Sequence, residues 1–292
     1  MRALIESLQA DYFRRALVEA ALAGALGGLV SVHVLLRRLQ FFVVALSHAT
    51  FPGVVLASAL GVSLFVGGSA FGLLVAGAVV LLGRERSAGD SSIVGVVVAG
   101  AFAFGVALIT ALPAGGRQLT AFLVGSIVTV DTGDVILTAA VLAVGVATCG
   151  LLHKELVFSA FDHAGAASMG YNKVPLDLVV LILVTLVSVS VIPAVGTLLA
   201  ISLLTIPGLI ARLWSDRVVS MMIIASIGGA SAGVIGLCLS AIWNIAAGGA
   251  IALTGVGLLG VSLIVRQPRR WSGAITPGDR RSGAESGSAL EA

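Results

Sequence analysis

The run "LQFFVVALSHATFPGVVLASALGVSLFVGGSAFGLLVAGAVVLLG", residues 39–83, contains no charged side chain. A helix that crosses a bilayer needs about 20 apolar residues, at a rise of about 1.5 Å per residue. The run is long enough for two such crossings, and the glycines between Gly61 and Gly68 mark the break between them. This stretch therefore predicts a pair of transmembrane helices.

The rest of the chain has the same character. Its 292 residues are 58% hydrophobic and 11% charged, whereas soluble domains carry about 25% charged residues. Charged residues bound further apolar runs, at 20–36, 91–116, 118–130, 135–153, 178–211 and 218–265. The runs at 178–211 and 218–265 each hold two spans, and the run at 118–130 is too short to cross.

We predict an all-α polytopic membrane protein with about nine transmembrane helices, eight being the alternative. An amphipathic segment is predicted at 1–15, the transmembrane domain at 16–265, and a disordered cytoplasmic tail at 266–292. An outside N-terminus would leave most Lys and Arg side chains in cytoplasmic loops, in line with the positive-inside rule. The net charge of +3 is too small and scattered to indicate a nucleic-acid partner.

His48 is the first candidate for a functional residue. It follows Arg38 by about ten residues, which places it about 15 Å into the membrane. Pro52 cannot donate a hydrogen bond to the carbonyl of His48, so the helix is expected to bend there and free that carbonyl. Intramembrane ionisable residues are costly and usually functional, and imidazole is a common metal ligand. We predict a polar site at His48 and Ser47; a histidine hydrogen-bonded to a neighbouring helix is the alternative.

Other polar positions give weaker signals. Pro193 and Pro207 interrupt apolar runs as Pro52 does, and either line a transport path or form structural kinks. His33 is expected at the interface, within reach of water. Asp131 and Asp134 resemble a turn or helix cap, with an ion-collecting vestibule as the alternative.

The segment "HKELVFSAFDHAGAASMGYNKVP", residues 153–175, lies on the predicted cytoplasmic side. Within it a short helix is expected, with Asp162 as N-cap and Gly170 as its stop. Its alanines leave a flat surface for docking of another protein, or for a helix lying on the membrane. The chain has no P-loop and no H-E-x-x-H motif, and we do not expect an enzyme.

Several segments resemble one family, the ABC-3 permeases, which are membrane subunits of bacterial zinc, manganese and iron ABC importers. "LLRRLQFFVVALSHATFPGVVLA" is similar to the family's second-helix signature, and "VGTLLAISLLTIPGLIARLWS" to its later proline-containing stretch. "TAFLVGSIVTVDTGDV" resembles a third segment, and "FDHAGAASMGYN" resembles the cytoplasmic segment that docks on the ATPase. The likeness covers about residues 16–265, in the family's order.

The resemblance implies a type II ABC importer-like permease of the bacterial cytoplasmic membrane. It implies a second copy of the chain, a cytoplasmic ABC ATPase dimer and an extracytoplasmic metal-binding protein as partners. The resemblance implies that the chain docks on the ATPase through Phe161, Asp162, Ala166 and Gly170. No cofactor is expected to stay bound; the divalent metal ion is cargo.

The resemblance also places His48 on the family's pathway histidine and Val44 where an aspartate is usual. Residues four apart share a helix face, so the usual carboxylate beside the imidazole is missing. Softer donors favour zinc over manganese, and we expect zinc on that ground. A permease for a metal chelate or other larger cargo, and a stand-alone ion-coupled secondary transporter, are the alternative functions.

Overall fold

The computed structural model describes residues 11–82, 90–111, 130–161 and 173–271, and every regular element within these ranges is an α-helix. The helices are α1 (Asp11–Leu36), α2 (Gln40–Ala49), α3 (Phe51–Leu60), α4 (Leu64–Leu82), α5 (Asp90–Ala111), α6 (Thr132–Leu151), α7 (His153–Phe161), α8 (Lys173–Val195), α9 (Thr197–Trp214), α10 (Val218–Trp243) and α11 (Ala247–Trp271).

The long apolar runs divide where the sequence predicts. The break after α3 lies at Gly61, whose φ of 68° suits glycine, and Gly196 (φ 83°) separates α8 from α9. Asn244, with φ 54°, separates α10 from α11; asparagine tolerates this left-handed region better than most residues. The break predicted between Gly61 and Gly68 is therefore confirmed, and the runs at 178–211 and 218–265 each divide into two helices as expected.

Eight helical segments of the described residues are long and apolar enough to span a membrane, α2 and α3 together counting as one. The ninth predicted crossing corresponds to α9, whose apolar part, Leu199–Trp214, is shorter. The all-α polytopic fold is confirmed, and the count agrees with the eight-span alternative. The predicted short segment at 118–130 lies, apart from Val130, outside the described residues.

The ends of the predicted transmembrane domain extend further than expected. Helix α1 begins at Asp11, so part of the segment predicted as amphipathic is continuous with the first span. At the other end α11 is helical to Trp271, past the predicted boundary at residue 265. The remainder of the predicted tail lies outside the described residues.

The helices form an inner set and an outer set. Within the 18-residue apolar windows, 72% of α1, 72% of α2–α3 and 61% of α8 is buried, against 33% or less for the other spans. Helix α1 packs chiefly against α10, α9 and α6, while α2 to α5 pack together, and α8 contacts both groups. The candidate residues on α2 therefore lie on an inner helix.

Small residues set the closest helix contact, between α1 and α10. A Cβ added at Gly24 would lie 2.2 Å from the Gly229 carbonyl oxygen, and one at Gly28 2.1 Å from that of Ala225. A Cβ at Gly233 would lie 2.3 Å from the carbonyl oxygen of Ala20. The facing pairs run in opposite directions along the two helices, which are therefore antiparallel and meet through a small-residue ladder.

Candidate functional site

The exposed face of α2 carries His48. Phe41 is 56% exposed and Val44 38%, and His48 is half-buried. These three residues lie at i, i+3 and i+7 and so share one helix face, whereas most of the intervening residues are buried. We call Phe41, Val44 and His48 the α2 surface stripe.

The helix breaks directly after His48, as Pro52 predicts. Helix α2 ends at Ala49 and α3 begins at Phe51, with Thr50 between them. The Thr50 N–H points to the carbonyls of both Leu46 and His48. The predicted interruption of the helix is thus confirmed. The Thr50 N–H donates to the Leu46 carbonyl at 3.0 Å, and a free His48 carbonyl stays a prediction.

An aromatic side chain from a neighbouring helix covers one side of His48. The Phe102 ring of α5 lies edge-on to the imidazole, with 5.7 Å between centroids and an interplanar angle of 78°. Phe102 also contacts Phe51, at 6.1 Å between centroids. Sequence reasoning missed Phe102, because no charge or motif distinguishes it from the other apolar residues of α5.

The remaining predicted pathway residues are not gathered around His48. Ser47 is fully buried, and its hydroxyl donates to the Val43 carbonyl at 3.0 Å. Pro207 lies inside α9 and borders a small apolar gap shared with α10 and α11. Pro193 belongs to the last turn of α8. Pathway roles for these residues stay predictions.

Pro52 lies buried in the first turn of α3, where it packs towards α5. A Cβ added at Gly105 would lie 3.1 Å from Pro52 Cγ and 2.9 Å from Phe51 Cδ1. The small residue at position 105 therefore lets α5 approach the helix break closely. The role of Pro52 in lining a pathway likewise stays a prediction.

His48 offers a single protein ligand from one chain. Within the described ranges, no group of three or more His, Cys, Asp or Glu side chains could hold a metal ion. A divalent metal at His48 would need further donors from water, backbone or another chain.

A buried polar pair that sequence reasoning also missed lies between α1 and α6. Glu19 is fully buried, and Thr138 donates a hydrogen bond of 2.7 Å to its Oε1. Among the residues described, Glu19 Oε2 has no partner. Glu19 escaped notice because it directly precedes the uncharged run at 20–36 and follows a charged segment.

The sequence predicts an interfacial position for His33 and a turn or helix cap at Asp131 and Asp134. His33 is 1% exposed, so the expectation that it reaches interfacial water is wrong. Its neighbour Val32 packs in one buried cluster with Ala211 of α9 and Met221 of α10. Asp131 caps α6: it accepts from the backbone N–H groups of Gly133 and Asp134, while Asp134 accepts from the Asp131 N–H at 3.1 Å. The predicted helix cap is thus confirmed.

Arg37 forms a polar junction on the predicted cytoplasmic side. Its guanidinium donates to Asp177 at the start of α8, and to the Leu156 carbonyl (3.3 Å) and Ser159 hydroxyl (2.7 Å) of α7. The side chain is only 5% exposed. Burial lowers the pKa of Arg37, and Asp177 opposes this shift.

The predicted docking surface begins beside this junction. Phe161, the last residue of α7, is 62% exposed, a large apolar side chain available to a partner. Asp162, Ala166 and Gly170 lie outside the described residues. Docking through all four stays a prediction.

The bundle of apolar helices in the described part of the chain is that of a multi-pass membrane protein. The profile of the ABC 3 transport family matches residues 9–266. The chain therefore belongs to this family, and its place is the bacterial plasma membrane.

Relatives in this family are similar in sequence to most of the chain. It is similar to the manganese transport system membrane protein MntC of Listeria monocytogenes, with 29% identity over 246 residues that cover 84% of this chain and 88% of the relative. It is 31% identical over 267 residues to the manganese import system permease protein ScaB of Streptococcus parasanguinis, covering 91% and 95%.

A solved structure supports the fold independently. PsaBC from Streptococcus pneumoniae in complex with Fab matches with a TM-score of 0.83 and 30% sequence identity. The match covers 92% of this chain and 98% of that chain. The arrangement of helices described above is therefore the arrangement of this family.

Proposed function

We propose that this chain is the permease subunit of an ATP-driven importer of a divalent metal ion, and that two copies enclose the ion path. The observation that carries the proposal is the α2 surface stripe. Its imidazole is half-buried on the surface of one protomer, beside the helix break and near the middle of the span Gln40–Leu60.

A second copy accounts for this placement. An ionisable side chain facing lipid at mid-membrane is costly, and such residues face a bundle interior or a watery cavity. Phe102 covers one side of His48, and the outward side is left to a partner surface. Two chains related by a twofold axis would bring two His48 side chains to one path.

The partners follow from the family and from what the chain lacks. Its sequence has no P-loop, so an ABC ATPase dimer would supply hydrolysis and dock at the α7 end, where Phe161 is exposed. An extracytoplasmic metal-binding protein would deliver the ion at the opposite face.

Manganese is the first candidate cargo, because MntC and ScaB are both named for manganese. Zinc is the second candidate. The stripe presents an imidazole but no carboxylate, since Val44 stands four residues before His48, and that donor set suits a borderline ion better than a hard one. The expectation of zinc from the sequence thus stays a prediction.

Metal uptake by cells tests the proposal. A strain lacking its own manganese and zinc importers would express this chain with its cognate ABC ATPase and metal-binding protein. We expect wild type to restore uptake of radiolabelled manganese or zinc, and His48→Ala to lower it at least tenfold. Thr110→Ala, which removes an exposed polar side chain at the end of α5, is the control. Equal uptake by His48→Ala and wild type would refute the pathway role.

Cross-linking tests the dimer separately. In a background with Cys149→Ala and Cys238→Ala, a Val44→Cys variant should form a disulfide-linked dimer on mild oxidation in membranes. Leu253→Cys, which is 68% exposed on α11, serves as the control for random collision. A dimer band of equal strength from both variants would contradict an interface at the α2 surface stripe.

A further inference from the structure

Arg37 connects the ends of three helices through one side chain. It lies directly after α1, and its guanidinium contacts Asp177 of α8 and both Leu156 and Ser159 of α7. Ser159 in turn donates to the Leu156 carbonyl at 3.3 Å. Helices α7 and α8 are the two that flank segment 162–172 in the chain.

This connection depends on the chemistry of arginine. A guanidinium presents five N–H donors in a rigid planar fork, so it can hold several acceptors at fixed angles, whereas a lysine ammonium is a compact charge on a flexible stem. At 5% exposure the charge cannot turn to water, and removing its partners leaves a buried charge uncompensated. The three helix ends are therefore held in one arrangement.

Arg37 is also joined tightly to the helix that carries His48. Only residues 37–39 separate α1 from α2. The Leu39 N–H donates to the Val34 carbonyl at 2.9 Å, and Arg38 adopts φ 56°. His48 lies eight residues beyond Gln40, about 12 Å along the helix axis. A displacement of α7 and α8 would thus reach the start of α2 through Arg37 and this short turn.

We propose that Arg37 is the positioning residue that transmits movement of the ATPase-docking region, formed by α7 and the start of α8, to the α2 helix bearing His48. This inference rests on the proposed function, because it needs an ATPase bound at that region. In this proposal Arg37 determines how efficiently ATP hydrolysis is converted into metal transport. It does not itself bind the metal.

The test compares metal transported with ATP hydrolysed. The wild-type transporter, purified with its cognate ABC ATPase, is reconstituted in liposomes with manganese-loaded or zinc-loaded binding protein. Arg37→Gln should keep the ATPase bound and hydrolysing, but lower metal transported per ATP at least tenfold. Arg37→Lys should give an intermediate loss, since it can keep one ion pair and not the fork. Arg38→Gln is the matched control, because Arg38 is exposed and should leave the ratio unchanged.

The outcomes separate the two proposals. An unchanged ratio in Arg37→Gln, or a parallel fall in hydrolysis and transport, would overturn the role of Arg37. Failure of the wild-type chain to bind the ATPase would instead overturn the proposed function.

Hydrogen exchange on the purified chain alone supplies a readout that needs no partner. In Arg37→Gln, backbone amides of 153–161 and 173–180 should exchange at least several-fold faster, while those of the α1–α10 contact keep the wild-type rate. Uniformly faster exchange would mean general unfolding, and unchanged exchange would mean that Arg37 holds nothing; either would overturn the inference.

Discussion

The small-residue ladder between α1 and α10 allows a sharp test, because two adjacent glycines of α10 differ only in their surroundings. A Cβ at Gly229 would lie 2.1 Å from the Gly24 carbonyl oxygen, while one at Gly228 would meet nothing within 4 Å. Both substitutions to alanine bring the same gain in helix propensity, about 1 kcal/mol. Their difference in stability therefore isolates the packing of α1 on α10.

The expected loss of stability in Gly229→Ala follows from the distance between the added Cβ and the Gly24 carbonyl oxygen. Ordinary van der Waals contact begins near 3.4 Å, so Gly229→Ala would force the two backbones roughly 1.3 Å apart. Such overpacking typically costs about 1–3 kcal/mol. We expect Gly229→Ala to be less stable than Gly228→Ala by about this amount. Gly228→Ala itself should be neutral or slightly more stable than wild type.

The assay is SDS-induced unfolding in detergent micelles, followed by far-ultraviolet circular dichroism. Gly24→Ala, whose Cβ would lie 2.2 Å from the Gly229 carbonyl oxygen, should behave like Gly229→Ala. The double variant should cost less than the sum of the two, because one separation of the helices relieves both clashes. Equal midpoints for Gly228→Ala and Gly229→Ala would refute the reasoning.

Three further outcomes follow from single contacts. Thr138→Val should destabilise the protein by about 1–3 kcal/mol, because it leaves the buried Glu19 carboxyl without its donor; an equal effect of the exposed Thr110→Val in SDS unfolding would contradict this. Asp131→Ala should cost about 1 kcal/mol of helix-end stability and speed amide exchange in the first turn of α6, whereas Asp131→Asn should not; identical exchange in the two variants would argue against the cap. Phe102→Ala should raise the rate at which diethylpyrocarbonate modifies His48 several-fold, by uncovering the ring; an unchanged rate, measured by mass spectrometry, would show that Phe102 does not shield it.

Much of the fold could be predicted from the sequence because its determinants are local. Uncharged runs fix the spans, and Gly61, Gly196 and Asn244 break them where a left-handed or otherwise non-helical backbone is needed. The bend at His48 follows from Pro52 by the same local chemistry. The cap at Asp131 needs only the residues that follow it.

The rest could not be predicted because it depends on residues far apart in the chain. Glu19 looks like part of a charged N-terminal segment until Thr138 packs against it. Arg37 contributes to the positive-inside pattern, and its partners Leu156, Ser159 and Asp177 lie more than a hundred residues away. The close contact of Gly24 and Gly28 with α10 likewise joins residues far apart in the chain.

The close contact between α1 and α10 and the looser contacts of α2 have different consequences for movement within the protein. Helices α1 and α10 approach so closely, carbonyl against glycine, that sliding one past the other would bring backbone atoms into clash. Helix α2 touches α1 far less, and packs mainly against α5, α9 and α8. We therefore expect α1 and α10 to move as one body, and changes at His48 to arise where α2 moves against α1. Arg37 lies at that joint, next to the turn between the two helices, where the proposed signal from the predicted cytoplasmic side would pass.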